Sequence, residues 1–313
     1  MAFNTQVVSD FTNQVNLYLE RRFLEMIKAE LHLASLGMPK SLAKREGNTM
    51  RFFRWDTPTG NAAALTDGVT PSGTTRTTST VLATLVQYGL FTAVSDALQT
   101  IVINDTLRDI TDLNAYDAAL SIDSLVRTEL RTNGTQKYAD GAFVGGANAS
   151  QANVETGTDR IRSNELRGIA AALRVANSRP YADGFYRGVV NPLQEIDLYA
   201  ETAANSFVIL ASHNGTASAI LEKGFIGTAY GIKLMRSTNI TVGTSANTFG
   251  AIFCGMNGFG TIGIETLKPE VIVKPLGFGE DPLNQRASAG YKYWYAAKVL
   301  RALDVQVLWS YSV

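Results

Sequence analysis

The side chains that could do chemistry in this 313-residue sequence are few: two histidines, one cysteine and a small group of acids. A Ser-His-Asp or Cys-His device needs a histidine beside its nucleophile. His32 falls in a run with helical spacing, and His213 precedes Asn214-Gly215 at an expected helix end, where the helix dipole favours it. Neither has a second His or Cys close by, as a metal site requires. Cys254 lies inside the apolar run "AIFCGM" and reads as a small core residue. Glu195, Asp197 and Glu201 cluster, and a paired-acid hydrolase would set two of them across a cleft. Their place on and after a helix opened by Asn191-Pro192 favours the plainer reading, acids at a helix start and on its wet face. The G-x-G-x-x-G run "GFGTIG", Gly258 to Gly263, follows an apolar strand but continues into "IETLKPEVIVKP". That continuation is strand interrupted by proline, so a pyrophosphate would meet no helix N-terminus. No cofactor or metal is expected. Around a second helix, Arg160, Arg162, Arg167, Arg174, Arg179 and Arg187 outnumber Asp159, Glu165 and Asp183. They read first as a solvated face with intermolecular salt bridges, and second as a mildly basic lining against nucleic acid, with Arg167 and Arg174 as its contacts.

Composition narrows the classes further. The chain has 28 basic and 28 acidic side chains, so it has no overall electrostatic footprint for specific nucleic-acid or membrane binding. Any nucleic-acid contact is expected to be local and non-specific. No stretch reaches the roughly 18 apolar residues of a membrane span, and the N-terminus lacks a basic start followed by an apolar run. A single cysteine builds no intrachain disulfide, which fits a reducing cytoplasm.

The elements that must position these side chains follow from periodicity. Residues 1–46 read as an arm, with Leu17, Phe23/Leu24, Ile27 and Leu31 at roughly helical spacing, Arg21/Arg22 beside acids, and a stop at Gly37-Met38-Pro39. One apolar stripe there wants a partner surface. "MRFFRW" (50–55) and "VLATLVQY" (81–88) are expected to pair as strands. Residues 106–133 form the longest helix, ended by Asn133-Gly134, and a second helix starts at Ser163 as its cap and stops at Arg179-Pro180. Short strands and helices follow: "GFYRGVV", a helix after Asn191-Pro192, "NSFVILASHNG" as another helix, then "AYGIKLMRSTNITV" and "TFGAIFCGM" as strands. Long β segments return in "GIETLKPEVIVKP" and "YKYWYAAKVLRALDVQVLWSY".

One stretch does not support itself. From Thr57 to Thr80 there are nine threonines, and Leu65 and Val69 are the only larger aliphatics. Ordering about 24 residues costs roughly 1–2 kcal/mol each, far above what two buried aliphatics return. Its β-branched residues and low charge suit an extended ribbon that another molecule must order.

This order of parts, with "MRFFRWDTP…LTDGVTPSG…ATLVQYG" and "GYKYWYAAKVL" as its most distinctive pieces, resembles the major capsid protein of tailed bacteriophages over nearly the whole chain. The resemblance implies an α+β coat fold with an N-terminal arm (1–46), an extended β-hairpin loop (47–91), a peripheral domain with a long spine helix (92–180), an axial domain (181–264) and return strands of the peripheral domain (265–313). The second helix is taken as the spine. It implies a self-assembling shell of hexamers and pentamers around double-stranded DNA, with the hairpin lying across a neighbouring copy through Arg51, Phe53, Trp55, Leu65, Val69 and Arg76, and with Arg21 and Arg22 of the arm as further contacts. The expected partners are other copies, a portal protein, a separate scaffold or decoration protein, and DNA held non-specifically, with Arg167 and Arg174 as the candidate interior contacts; no membrane is expected. Assembly in the bacterial cytoplasm is expected to be non-covalent, and the arm is expected to be kept in mature particles because no removable scaffold segment precedes it. Within the same fold, the rival is the shell of a bacterial protein-cargo nanocompartment of the encapsulin kind. Outside it, the rival is a hydrolase using Glu195 or Glu201.

Overall fold

The structure, a computed structural model, describes residues 33–312 apart from 44, 46, 57–59, 61–63, 71–72, 74, 102–105, 155–156, 202–226, 241–242, 244–246, 265–268 and 278–282. The arm helix with Arg21, Arg22 and His32, the helix expected at "NSFVILASHNG" and His213 lie outside the described residues.

In chain order the elements are β1 (Met38–Leu42), β2 (Thr49–Trp55), β3 (Thr78–Thr84), β4 (Val86–Ser95), α1 (Asp96–Ile101), α2 (Thr106–Asn133), β5 (Thr135–Tyr138), α3 (Ser163–Val175), β6 (Tyr186–Val190), α4 (Pro192–Ala200), β7 (Thr228–Ala229), β8 (Ile232–Arg236), β9 (Thr248–Cys254), β10 (Phe259–Ile264), β11 (Glu270–Lys274), β12 (Arg286–Val299) and β13 (Val305–Tyr311). This is a mixed α+β fold on two sheets and a separate two-stranded hairpin.

The first sheet is organised by β12, whose 14 residues give it two long edges. β4 pairs antiparallel along one edge from Arg286 to Tyr295. β11 and β10 share the other edge in succession, and β1 adds in parallel to β10. α2 lies on this sheet: Ala115, Ala118 and Ile122 pack on Tyr291 and Tyr293. Small alanines let the helix approach closely, and polar side chains fix its position. Asn114 donates to the Ala289 carbonyl at 3.1 Å, Ser121 and Tyr293 share a bond of 2.7 Å, and the Tyr291 hydroxyl donates to Asp117.

The second sheet runs β5-β13-β9-β6-β8-β7. Its one side is covered by α3, whose Leu166, Ile169, Ala170 and Leu173 recur at helical spacing and meet Val190, Leu234, Phe253 and Leu308. On its other side Val189, Ile252, Cys254 and Val305 join Val126 and Leu130 from α2. α2 thus contributes to both cores.

Several sequence expectations are corrected here. The strand expected at 81–88 is two strands: β3 pairs with β2, and β4 leaves to pair with β12. They part at Leu85, whose N–H bonds the Asn48 carbonyl at 2.7 Å and whose side chain is buried. Ser163 is the first helical residue of α3 and not its cap. Glu165 accepts from the Arg162 N–H at 3.0 Å, while Glu201 accepts from both the N–H and the hydroxyl of Ser163 at 3.0 and 2.6 Å. Carboxylates from outside the cap position therefore satisfy that helix start. The helix taken as the spine, α3, packs on the second sheet, and the helix that runs along β12 is the longer α2. Sheet membership also crosses the expected division at 264/265: β13 sits between β5 and β9, while β10 belongs with β12. The opening of α4 matches its sequence signal. Asn191 accepts from the Leu193 N–H and its own N–H donates to Gln194, each at 3.0 Å, with Pro192 in the first turn.

Candidate assembly surface

β2 and β3 form an antiparallel ladder running from Thr49↔Thr84 to Trp55↔Thr78. Because side chains alternate, one face holds Met50, Phe52, Val81 and Ala83 and the other holds Arg51, Phe53, Trp55, Thr80 and Leu82. The first face is the anchor. Phe52 and Ala83 are buried with Leu42, Leu85 and Ile262, and Lys40 lies over the Phe52 ring at 4.9 Å. Gly260 makes this possible, since a Cβ there would stand 2.5 Å from the Phe52 ring. That is a structural use for a glycine of the "GFGTIG" run: Phe259–Ile264 is a strand that backs the hairpin base, with a turn before it and no helix after it among the described residues.

Among the described residues, none buries the second face. Phe53 is 69% exposed, Trp55 70% and Leu82 54%. Past Trp55 the ladder is closed by Asp56, which accepts from the Thr77 and Ser79 hydroxyls at 2.6 and 2.7 Å. Those two hydroxyls hold its carboxyl below the usual carboxylate range. Farther out, the Val69 N–H bonds the Thr66 carbonyl at 3.2 Å around Asp67-Gly68, and Gly68 takes the positive φ of 74° that this turn position demands. Leu65 and Val69 flank that turn and are exposed, as are Arg51 and Arg76. The expected contact residues Arg51, Phe53, Trp55, Leu65, Val69 and Arg76 thus all lie on exposed parts of the ribbon. Leu82 was missed by sequence reasoning; its cross-strand parity with Arg51 is the signal that finds it. Beneath the hairpin, Lys40, Arg54, Arg179 and Arg301 line a cleft of about 370 Å³, where Asp304 is bonded to Arg301 at 2.9 Å.

The side chains considered for catalysis are engaged elsewhere. Glu195 accepts from the Tyr199 hydroxyl at 2.8 Å and faces Arg236 at 3.8 Å; Asp197 meets Arg160 at 3.2 Å; Glu201 caps α3. Burial raises the Asp197 carboxyl above its ordinary value, although Arg160 opposes this. Cys254 is buried with its sulfur 3.5 Å from the Tyr181 hydroxyl, and burial pushes its thiol up to about 11. Arg167 and Arg174 stand seven residues apart on one exposed face of α3, bonding Asn164 at 2.6 Å and the Tyr230 carbonyl at 2.9 Å. Arg160 and Arg187 form ion pairs within the chain, Arg187 with Asp183 at 2.9 Å.

Comparison with known proteins points one way. No curated protein matches the sequence. The capsid of Ralstonia phage GP4 is similar in structure, with a TM-score of 0.66, 14% identity, and 89% of this chain and 87% of that one covered. A chain from Mycobacterium phage Che8 gives 0.62 and 18% over 89% and 90%. A virus-like particle from Pyrococcus furiosus gives 0.54 and 12% over 94% and 99%. These likenesses give the fold. The family model described as phage capsid protein matches residues 76–306. With a match running from β3 through β12 to the first two residues of β13, the chain belongs to the phage capsid protein family and is a structural protein of the phage head shell.

Proposed function

We propose that the chain is the repeating subunit of a closed head shell, forming hexamers and pentamers of itself around packaged double-stranded DNA, with the hairpin of each copy lying across the next. The observation that supports this is the exposed face of β2–β3, where Phe53, Trp55 and Leu82 stand uncovered above a base that is itself well anchored. Large apolar side chains return about 1.5–3 kcal/mol each when fully buried, and a neighbouring copy is the surface that supplies the burial. Many such modest contacts, closed into a shell, give stability through multivalency.

In this reading the sheet built on β12 with α2 along it is the peripheral domain, and the six-stranded sheet with α3 and α4 is the axial domain. Arg167 and Arg174 give α3 a weakly basic face for non-specific contact with DNA. A portal protein meets the shell, a separate scaffold or decoration protein joins during assembly, and assembly takes place in the bacterial cytoplasm. The role is structural, without turnover. Sedimentation velocity and negative-stain microscopy of the purified chain test it: closed particles are expected, and a monomer or small oligomer overturns it. Particles that hold protein cargo and no DNA when isolated from phage-producing cells overturn the DNA shell in favour of a nanocompartment.

A further inference from the structure

β4 is an edge strand without the usual protection. It pairs with β12 along its 10 residues, Val86 to Ser95, and with no other strand among the described residues. In an antiparallel ladder every second residue turns its N–H and carbonyl away from its partner, so β4 presents a row of donors and acceptors along its outer side. The other edge strands of the two large sheets are short or guarded. β1 holds Pro39 and Lys40, β11 holds Glu270 and Lys274, β5 holds Lys137, and β7 has 2 residues. β4, "VQYGLFTAVS", has neither charge nor proline.

The middle of β4 is bare on both faces. Leu90 shares the α2 side with its cross-strand neighbour Tyr291, yet it is 51% exposed, and Phe91 on the opposite side is 73% exposed. On the Phe91 side the sheet carries Gly89 and Gly290. A Cβ at Gly89 would stand 2.6 Å from the Tyr291 carbonyl oxygen, and one at Gly290 would stand 2.8 Å from that of Leu90, so the approach of β4 to β12 admits no larger residue. Both glycines line an open depression of about 390 Å³, with Phe91, Ile272 and Lys274 around it. A glycine inside a strand marks close approach of another backbone, and an aromatic ring set across from it restores the missing cover.

We infer that β4 pairs antiparallel with β4 of a second copy about a two-fold axis, with Leu90 opposite Leu90. In this register each Phe91 stands opposite Gly89 of the other copy, on the same face, and its ring enters the depression there. Tyr88 meets Thr92, Val86 meets Val94, and no charged side chain of either strand faces another. A shift of one residue sets outward-turned backbone groups against inward-turned ones. A shift of two sets Gly89 against Gly89 or Phe91 against Phe91. The occupant is a second copy because this uncharged edge contains both the ring and the bare glycine that the ring covers, as an isologous contact requires. In the proposed shell the contacts within a ring run head to tail, and joining ring to ring calls for a further contact, which this pairing supplies. Only that place between rings rests on the shell reading.

Single cysteines in the full chain test the pairing, with the buried Cys254 left in place. Leu90→Cys should form an interchain disulfide on mild oxidation, because directly opposite Cβ atoms lie about 4.5–5.5 Å apart, and both linked peptides should contain residue 90. Gln87→Cys should link to itself at least about tenfold more slowly, since the two copies of residue 87 stand about 20 Å apart along the ladder. Gln87→Cys/Ala93→Cys should restore linking, as pairs of 87 with 93. Phe91→Lys should keep native circular dichroism and lose closed particles, leaving rings in sedimentation velocity. Folded protein without the 90–90 link, equal linking through residue 87, or normal particles from Phe91→Lys would each overturn the pairing. Closed particles without a 90–90 link refute this contact and leave the shell reading standing, whereas a 90–90 dimer from a chain that closes no particles supports this contact and refutes the shell reading.

Discussion

Two antiparallel ladders of this chain, β9 with β13 and β2 with β3, each register seven residue pairs, yet they differ in what surrounds them. All seven residues of β9 are buried. In β2 only Phe52 is buried. The same backbone pairing thus serves two ends: β9 has α3 on one side and the α2 end on the other, while the hairpin has the subunit beneath its base and, among the described residues, an exposed face above. Hydrogen bonds alone do not decide which ladder is core. The supply of apolar surface on both faces does, and for the hairpin the proposed function assigns that supply to a neighbouring copy.

Adjacent residues of β2 break this comparison most sharply. Phe52→Ala removes the centre of the anchor and should cost the unassembled subunit about 3–5 kcal/mol in chemical denaturation. Phe53→Ala, one residue on and 69% exposed, should change subunit stability by less than about 0.5 kcal/mol while lowering the yield of assembled particles. Equal losses of stability from both would mean that the hairpin is packed on both faces within its own subunit. Gly260→Val tests the same anchor from beneath. Its side chain must displace the Phe52 ring, so a loss of about 1–3 kcal/mol is expected by thermal or urea unfolding. A smaller effect belongs to the six-stranded side, where Asn191→Ala removes the α4 cap and should cost about 1 kcal/mol.

The smallest concerns Cys254. Cys254→Ser should leave particle yield nearly unchanged, with a modest loss of stability. The thiol also carries a pH signature. Its folded value of about 11 lies above the ordinary 9.0, so the neutral thiol stabilises the fold fully below pH 9.0, and that contribution is lost as pH rises through 11. Urea midpoints of wild type and Cys254→Ser should therefore converge toward high pH, and a gap that widens there would contradict the burial assigned to this sulfur.

What was legible in the sequence is what local chemistry encodes. The periodicity of α2 and α3 and the Asn191-Pro192 start of α4 depend on neighbours within a few residues, and those elements stand as expected. The break at Leu85 was not legible, because "VLATLVQY" carries no glycine, proline or charge to interrupt it; what ends one strand there is the pairing of β4 with β12, about 200 residues away. The α3 cap was misread for the same reason, since Glu201 lies 38 residues beyond Ser163. Of the assembly surface, composition revealed the unsupported threonine-rich ribbon, and strand alternation revealed Phe53 and Trp55. Leu82 and the part played by Gly260 became visible only once the β2–β3 register and the approach of β10 were known.

The central claim is that the outer hairpin serves a neighbouring copy and not its own subunit. Replacing residues 57–76 by a short glycine-containing turn keeps Trp55↔Thr78 and the whole Phe52 anchor. It removes a ribbon whose two sides could otherwise reach tens of ångströms at roughly 3.3 Å per residue. Circular dichroism and sedimentation velocity on this variant, run side by side with wild type, are the decisive measurement. The account predicts native circular dichroism and a cooperative unfolding transition together with loss of closed particles. A variant that still closes into normal shells, or one that unfolds outright, would contradict it.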